Sequence, residues 1–401
     1  MNKLKIFLLI FIIIFSSQFD CINGDININL NDKRQVIDGF GACSAWQGVV
    51  SDQIMKELYE TLGYSILRIR IDENKKWNEE LLNAKKALQF NAKVFASPWS
   101  APSNMKNNKA LLSSQYSNYA YYLKSFVDYM KNNGVNLYAI SIINEPDYAN
   151  EAPYNTMSFS TDEMKDFLKN NAKIIKEGNN IKIMAPETYG YNVDMNNKIL
   201  SDKDAAAAVD IDAIHGYGFF MSPQPVVKKS GKPFWMTEHA IDGNKWNSVM
   251  QTAKDIHDFM TIAEVTAYVH WWLKSTNPSS QNMYLLYQNM QLTPKAFVIG
   301  HFAKFIRPGY FRVNSDNSNG NLLVSAYTGG KGKVIIVAIN MGKSSISQQF
   351  YINGGKPPSS FIPYITSQDK NLDKQNNIKL SEGGSFLYSI PGQSLITFVS
   401  V

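Results

Sequence analysis

The chain has 401 residues and a formal net charge of +6; 44% of its residues are hydrophobic, 12% aromatic and 18% charged. That much apolar surface suits a large buried core and excludes a disordered chain. The mild positive balance forms no basic stripe, so a nucleic-acid partner is not expected.

In chain order, Lys3 and Lys5 precede the apolar run Ile6–Phe15, and small and polar residues follow from Ser16 to Asp25. This is the order of a secretory signal peptide, so residues 1–24 are expected to be removed and the product secreted. Cleavage is placed between Ser17 and Gly24. The run is far shorter than the roughly 20 residues a bilayer core requires, and no later segment is long enough, so no membrane partner is expected. Cys21 lacks the small residues of a lipoprotein site before it. If cleavage follows Cys21, Cys43 alone remains, no internal disulfide can form, and stability must come from packing.

Residues 25–35 carry the alternating segment Ile26–Leu30, read as a strand that pairs with a later β domain. Eight short apolar runs follow between residues 36 and 307: Val36–Cys43, Ser65–Asp72, Ala92–Trp99, Leu137–Pro146, Ile181–Glu187, Ala213–Gly218, Pro233–Ala240 and Thr266–Leu273. Helical patterns lie between them, among them Gln53–Leu62, Tyr116–Lys131, Thr161–Lys176 and Val249–Ala263. Eight strand–helix units predict an α/β fold, a (β/α)8 TIM barrel. A doubly wound sheet is the alternative, disfavoured because no Gly-rich dinucleotide loop follows the first strand. From residue 308 to 401 the runs Leu322–Tyr327, Lys333–Asn340, Ser347–Asn353 and Leu395–Val401, with Gly, Ser, Asn and Pro turns, predict an all-β side domain.

Seven of the eight runs finish at or near Asp72, Trp99, Glu145, Glu187, Tyr217, Glu238 and Trp271. Barrel enzymes place chemistry at the C-terminal ends of their strands. Glu145 closes the fourth run and Glu238 the seventh, so the two carboxyls converge across one mouth. A rim salt bridge explains either glutamate alone; the pair suits glycoside hydrolysis, one carboxyl giving a proton and the other attacking the anomeric carbon. Asn144 can hydrogen-bond a neighbouring sugar hydroxyl.

Asn144-Glu145-Pro146 on the fourth strand with Glu238 on the seventh resembles the retaining (β/α)8 glycosidases. Val36-Ile37-Asp38-Gly39-Phe40-Gly41, Ser65-Ile66-Leu67-Arg68-Ile69 and Phe95-Ala96-Ser97-Pro98-Trp99 narrow the resemblance to glycoside hydrolase family 30. The stretch from Asn132 to Ala149 and Lys304-Phe305-Ile306-Arg307-Pro308-Gly309-Tyr310 resemble its bacterial xylanase branch. The resemblance implies Glu145 as general acid/base and Glu238 as nucleophile. It matches Arg68 to an arginine near the nucleophile, whose charge would keep Glu238 ionised, and Tyr217 to a tyrosine bonded to that carboxylate. It also implies a side domain built from both termini.

Aromatic rings form platforms for the apolar faces of sugars. Trp46, Trp99, Tyr148 and Trp271 fall near strand ends or in the loops after them. The family match assigns Trp99, Tyr148 and Trp271 to substrate binding; Trp46 joins them by position. Trp235 and Trp272 are read as packing. Members that read a methylglucuronate branch carry an Arg-x-Tyr element after the eighth-strand tryptophan and a Tyr two residues past the nucleophile. Here those positions hold Ser275-Thr276-Asn277 and Ala240, and Lys274 is no bidentate clamp. The expectation is a monomeric xylanase acting on xylan or xylo-oligosaccharides without strict need for glucuronate. The five histidines show no metal spacing, and no metal or cofactor is expected. His215 could line the mouth, and Glu187 is read as supporting the site or lying on its rim. The alternatives are a family 30 glycosidase acting on β-glucan or glucosylated lipid, and a non-catalytic carbohydrate-binding protein.

Overall fold

Eight parallel strands close into a barrel in the computed structural model, which describes residues 24–401 except 219–220, 244, 275–283, 288 and 317–319. The expected export segment therefore lies outside the described residues but for Gly24. In sequence order the barrel strands are Gly39–Cys43, Ile66–Ile71, Lys93–Pro98, Ala139–Ser141, Lys182–Gly190, Ile211–Tyr217, Phe234–His239 and Ala267–His270, called strands one to eight below. Strands one and two come very close: a Cβ on Gly41 would sit 1.9 Å from the Ile66 carbonyl oxygen, so only glycine fits there.

Ile66, Phe95, Met184, Ala213 and Trp235 point inward and fill the barrel. Trp235 stacks on Tyr138 at 5.6 Å and donates from Nε1 to Asp38, which also pairs with Lys93 at 2.8 Å. This plug closes the N-terminal end, leaving the C-terminal mouth for chemistry. Outward-facing residues meet the amphipathic helices. Helix Thr161–Lys176 shows the logic: Ser160 and Glu163 form a capping box, Asp162 and Glu163 begin the helix, and Lys173 and Lys176 end it. Its Met164, Phe167, Leu168 and Ile175 recur at helical spacing and are buried in the core outside the barrel.

The all-β domain is a ten-stranded sheet. Strand Ile26–Val36 lies inside it, antiparallel to Phe311–Ser315 and parallel to Ile346–Asn353. His301, at the end of helix Pro294–Ala303, joins the two units: its ring nitrogens meet the hydroxyls of Thr397 and Thr366, each at 2.8 Å, and burial pushes it down to about 3, so it is neutral. Among the described residues no helix is long and apolar enough to cross a membrane.

Three expected elements depart from the sequence pattern, one of them the helix expected over Val249–Ala263, which is α-helical over Trp246–Asp258 and π-helical over Phe259–Ala263. The apolar run Leu137–Pro146 yields a strand of only Ala139–Ser141, because Asn144 turns to bond the Pro98 carbonyl and Glu145 that of Glu187. The helix expected over Gln53–Leu62 is α-helical only at Asp52–Met55 and widens to π geometry over Lys56–Thr61.

Candidate active site

Irregular backbone at the strand ends aims the acidic residues into the mouth. On strand seven Trp235 points in and Met236 out, so strict alternation would turn Glu238 outward. A register shift between Met236 and Glu238 adds a residue and returns Glu238 to the interior. His239, the next residue, faces out to Asp255 at 2.7 Å. A second shift on strand five, beside Glu187, turns that carboxyl inward. Glu145 (φ 48°) and Glu187 (φ 57°) both hold left-handed backbone, which costs a non-glycine residue on the order of 1 kcal/mol or more.

Five ionisable groups meet there. Arg68 is fully buried; Nη1 bonds Glu238, Nη2 donates to Asn144 Oδ1 at 2.6 Å and lies 3.3 Å from Glu187, and Nε donates to Ser97 at 3.2 Å. His215 Nδ1 stands 2.9 Å from Glu145 and 3.9 Å from Glu238, and Nε2 stands 3.6 Å from Glu187. Tyr217 donates to the second Glu238 oxygen at 3.2 Å. Arg68 is therefore enclosed beneath the cleft, touching the carboxylates rather than open space. Asn144 is buried too, and its Nδ2 has no partner among the described residues.

Burial opposes the charge on His215, but Glu238, Glu145 and Glu187 raise it to about 9, so it is a cation at neutral pH. Burial disfavours the Glu187 anion, yet Arg68 and His215 hold it down to about 2. Burial pushes Glu238 above the ordinary carboxylate value; His215 and Arg68 pull it back and Glu145 adds to the rise. Arg68 alone thus does not fix the ionisation of Glu238, as the sequence suggested. Three carboxyls thus face two cations across the mouth.

A carboxylate oxygen each from Glu145 and Glu238 and a ring nitrogen of His215 lie within 4.8 Å of one another. These are the donors nearest to a metal set among the described residues. The Arg68 guanidinium on Glu238 and the cationic His215 make the set a poor host for a divalent ion.

Aromatic rings wall the mouth. Trp46 is 41% exposed and packs edge-on to Trp99, 4.8 Å away, and to Trp271 at 6.1 Å. Trp99 is only 3% exposed; it supports Trp46 and covers Arg68, whose guanidinium lies 4.7 Å from its ring. Trp235 is wholly core, and Trp272 stacks on Trp271 at 5.0 Å. Opposite, Tyr148 stacks on Tyr189 at 3.9 Å and Tyr189 on Tyr217 at 5.2 Å. Cys43 is buried beneath the tryptophans, and burial pushes its thiol far up, so it is unreactive.

The Trp46 loop is clamped from helix Asn78–Leu88. Glu80 accepts from Ser44 at 2.6 Å and from the Arg70 backbone at 3.2 Å; Asn83 accepts from the Val50 backbone and donates to the Gly48 carbonyl, each at 2.9 Å. Burial pushes Glu80 up to about 7 against these donors. A raised carboxyl costs stability as pH climbs from its unfolded value toward the folded one, here about 3 kcal/mol in full above pH 7. Glu80→Gln should therefore raise the Tm at pH 8 and leave it nearly unchanged at pH 5. A lower Tm at pH 8 would mean that the anion holds the loop.

His215, Glu187, Tyr154 and Tyr189 complete the site. The sequence pattern places the first two near the mouth and gives no sign of the two tyrosines. Tyr154, in the loop after Glu145, donates to Glu145 Oε2. Of the positions compared for glucuronate, Ala240 is buried and Ser275-Thr276-Asn277 lie outside the described residues.

The Glycosyl hydrolase family 30 TIM-barrel domain matches residues 61–306. The chain is 36% identical over 403 residues to Glucuronoxylanase XynC of Bacillus subtilis (strain 168), covering 94% of this chain and 91% of that protein. A solved GH30 endoxylanase from Clostridium papyrosolvens C71 is 40% identical with a TM-score of 0.87, covering 94% and 100% of the two chains. Xyn30A, a family 30 subfamily 8 xylanase from Clostridium acetobutylicum, is also 40% identical, with a TM-score of 0.88 and coverage of 94% and 99%. With its barrel, its paired glutamates and these relatives, the chain belongs to glycoside hydrolase family 30.

Proposed function

We propose that the protein is a secreted, retaining xylanase that cleaves β-1,4-xylosidic bonds by double displacement. The carrying observation is the approach of Glu145 and Glu238 oxygens to within 4.8 Å, which suits direct attack better than the roughly 6.5–9.5 Å left for a water in inverting enzymes. Glu238 attacks the anomeric carbon as Glu145 passes its proton to the leaving oxygen, and the glycosidic bond breaks to leave a glycosyl ester on Glu238. Glu145 then takes a proton from water, whose oxygen displaces Glu238 and restores the configuration. Arg68 and Tyr217 hold Glu238 for attack and stabilise it as the leaving carboxylate in the second step.

Identities of 36% and 40% to xylan-active relatives support xylan as the substrate. Ser275 and Ala240, in place of arginine and tyrosine, support activity that does not require a glucuronate branch. One NMR assay on linear xylan and on glucuronoxylan tests both parts. The first product should be the β anomer, with rates on the two polymers within about tenfold, a gap of about 1.4 kcal/mol. An α anomer would overturn retention, and a much larger preference for glucuronoxylan would overturn the specificity.

A further inference from the structure

Both oxygens of Glu145 are occupied. Oε1 meets Nδ1 of His215, a cation sealed in the barrel. A histidinium only donates, so a proton on Glu145 belongs on Oε2. The partner of Oε2 is the Tyr154 hydroxyl, on a residue 40% exposed at the mouth. A phenol can both accept from a carboxylic acid and donate to its carboxylate, which neither histidinium nor guanidinium can do.

The loop that carries Tyr154 is held from outside the barrel mouth. A short hairpin, Lys106–Asn107 with Ala110–Leu111, brings two lysines against it. Lys109 Nζ donates to the Ala149 and Ala152 carbonyls at 2.6 and 2.8 Å. Lys106 Nζ donates to Asn155 Oδ1 at 3.0 Å and the Thr156 carbonyl at 3.1 Å, and Asn155 donates to Glu73 at 2.8 Å. Three side chains thus fix the backbone on both sides of Tyr154, so its hydroxyl is placed before substrate arrives.

Resting on the reading of Glu145 as acid/base, we propose that Tyr154 is a further catalytic residue that stabilises the Glu145 carboxylate as its proton passes to the leaving oxygen. The Tyr154 O–H bond stays intact. The Glu145 O–H bond and the glycosidic C–O bond break, the leaving group gains the proton, and Glu238 gains the bond to carbon. The hydrogen bond from Tyr154 strengthens as negative charge builds on Oε2, so it favours the transition state over the bound substrate. It matters most where the leaving group needs full protonation.

Tyr154→Phe keeps the ring and removes the hydroxyl. On xylan, kcat/KM should fall about tenfold, the lower end for a hydrogen bond to a charged group at a partly exposed site. On a dinitrophenyl xylobioside, which leaves without acid help, kcat/KM, which reports the first step alone, should stay within about twofold, and that retained activity reports a folded enzyme. Equal losses on both substrates, or no loss on xylan, would overturn the proposal. Glu145→Ala run in parallel separates the two readings. If it shows the same split, only larger, and Tyr154→Phe shows none, the Tyr154 role alone fails. If Glu145→Ala loses kcat/KM equally on both substrates, the acid/base reading fails first.

Discussion

Glu238→Ala should lower xylan turnover on the order of 10^5-fold while leaving xylo-oligosaccharide binding measurable by calorimetry. The loss is large because no other described group can take over the attack. Glu187 is tied to Arg68 and His215, and Glu145 sits across the mouth beside His215. The fold should survive, because Arg68 keeps Glu187, Asn144 and Ser97 as partners and the two cations then face two carboxyls. Azide supplied in solution can enter the space left by the carboxylate and attack the same face, giving an α-glycosyl azide from an activated substrate. Loss of binding together with turnover would show that the Glu238 carboxylate shapes the cleft rather than attacks.

Arg68→Met should be as damaging to the fold as Glu238→Ala is to turnover. It leaves Glu187 fully buried with His215 as its remaining cationic neighbour among the described residues, and removes the guanidinium from Glu238. Breaking one side of a buried pair costs about 3–5 kcal/mol. The pH dependence identifies the cause. Glu187 is held down to about 2 in the native site, so its contribution is present above pH 4.5 and is lost as pH falls toward 2. The stability gap between native and variant protein, read from urea unfolding, should be full at pH 7 and narrower at pH 3. An equal gap at both pH values would assign the loss to packing against Trp99 instead. Arg68→Lys should fall between, since a point charge cannot reach Glu238, Glu187 and Asn144 at once.

The sequence makes the scaffold and the meeting of the two proposed catalytic glutamates legible because both follow from short-range patterns. Apolar runs eight times over mark the barrel, and Glu145 and Glu238 stand where runs four and seven stop. Arg68 is visible as a charge inside an apolar run, a placement that demands buried partners. What stays hidden depends on geometry that periodicity does not carry. The shift on strand five that buries Glu187 breaks the two-residue alternation, so the residue reads equally well as rim or interior. Tyr154 reaches Glu145 only because Lys106 and Lys109, more than 40 residues earlier, hold its loop. Trp99 reads as an open sugar platform like Trp46, and only packing shows that one ring lies beneath the other.

The strand Ile26–Val36 also orders events in time. Made early in the chain, it pairs among the described residues with strands of the last quarter, Phe311–Ser315 and Ile346–Asn353. The ten-stranded sheet cannot be completed until synthesis is nearly finished, whereas all eight barrel strands are available by His270. Barrel closure can therefore precede the final pairing, which then ties Ile26–Val36 to strands made more than 270 residues later.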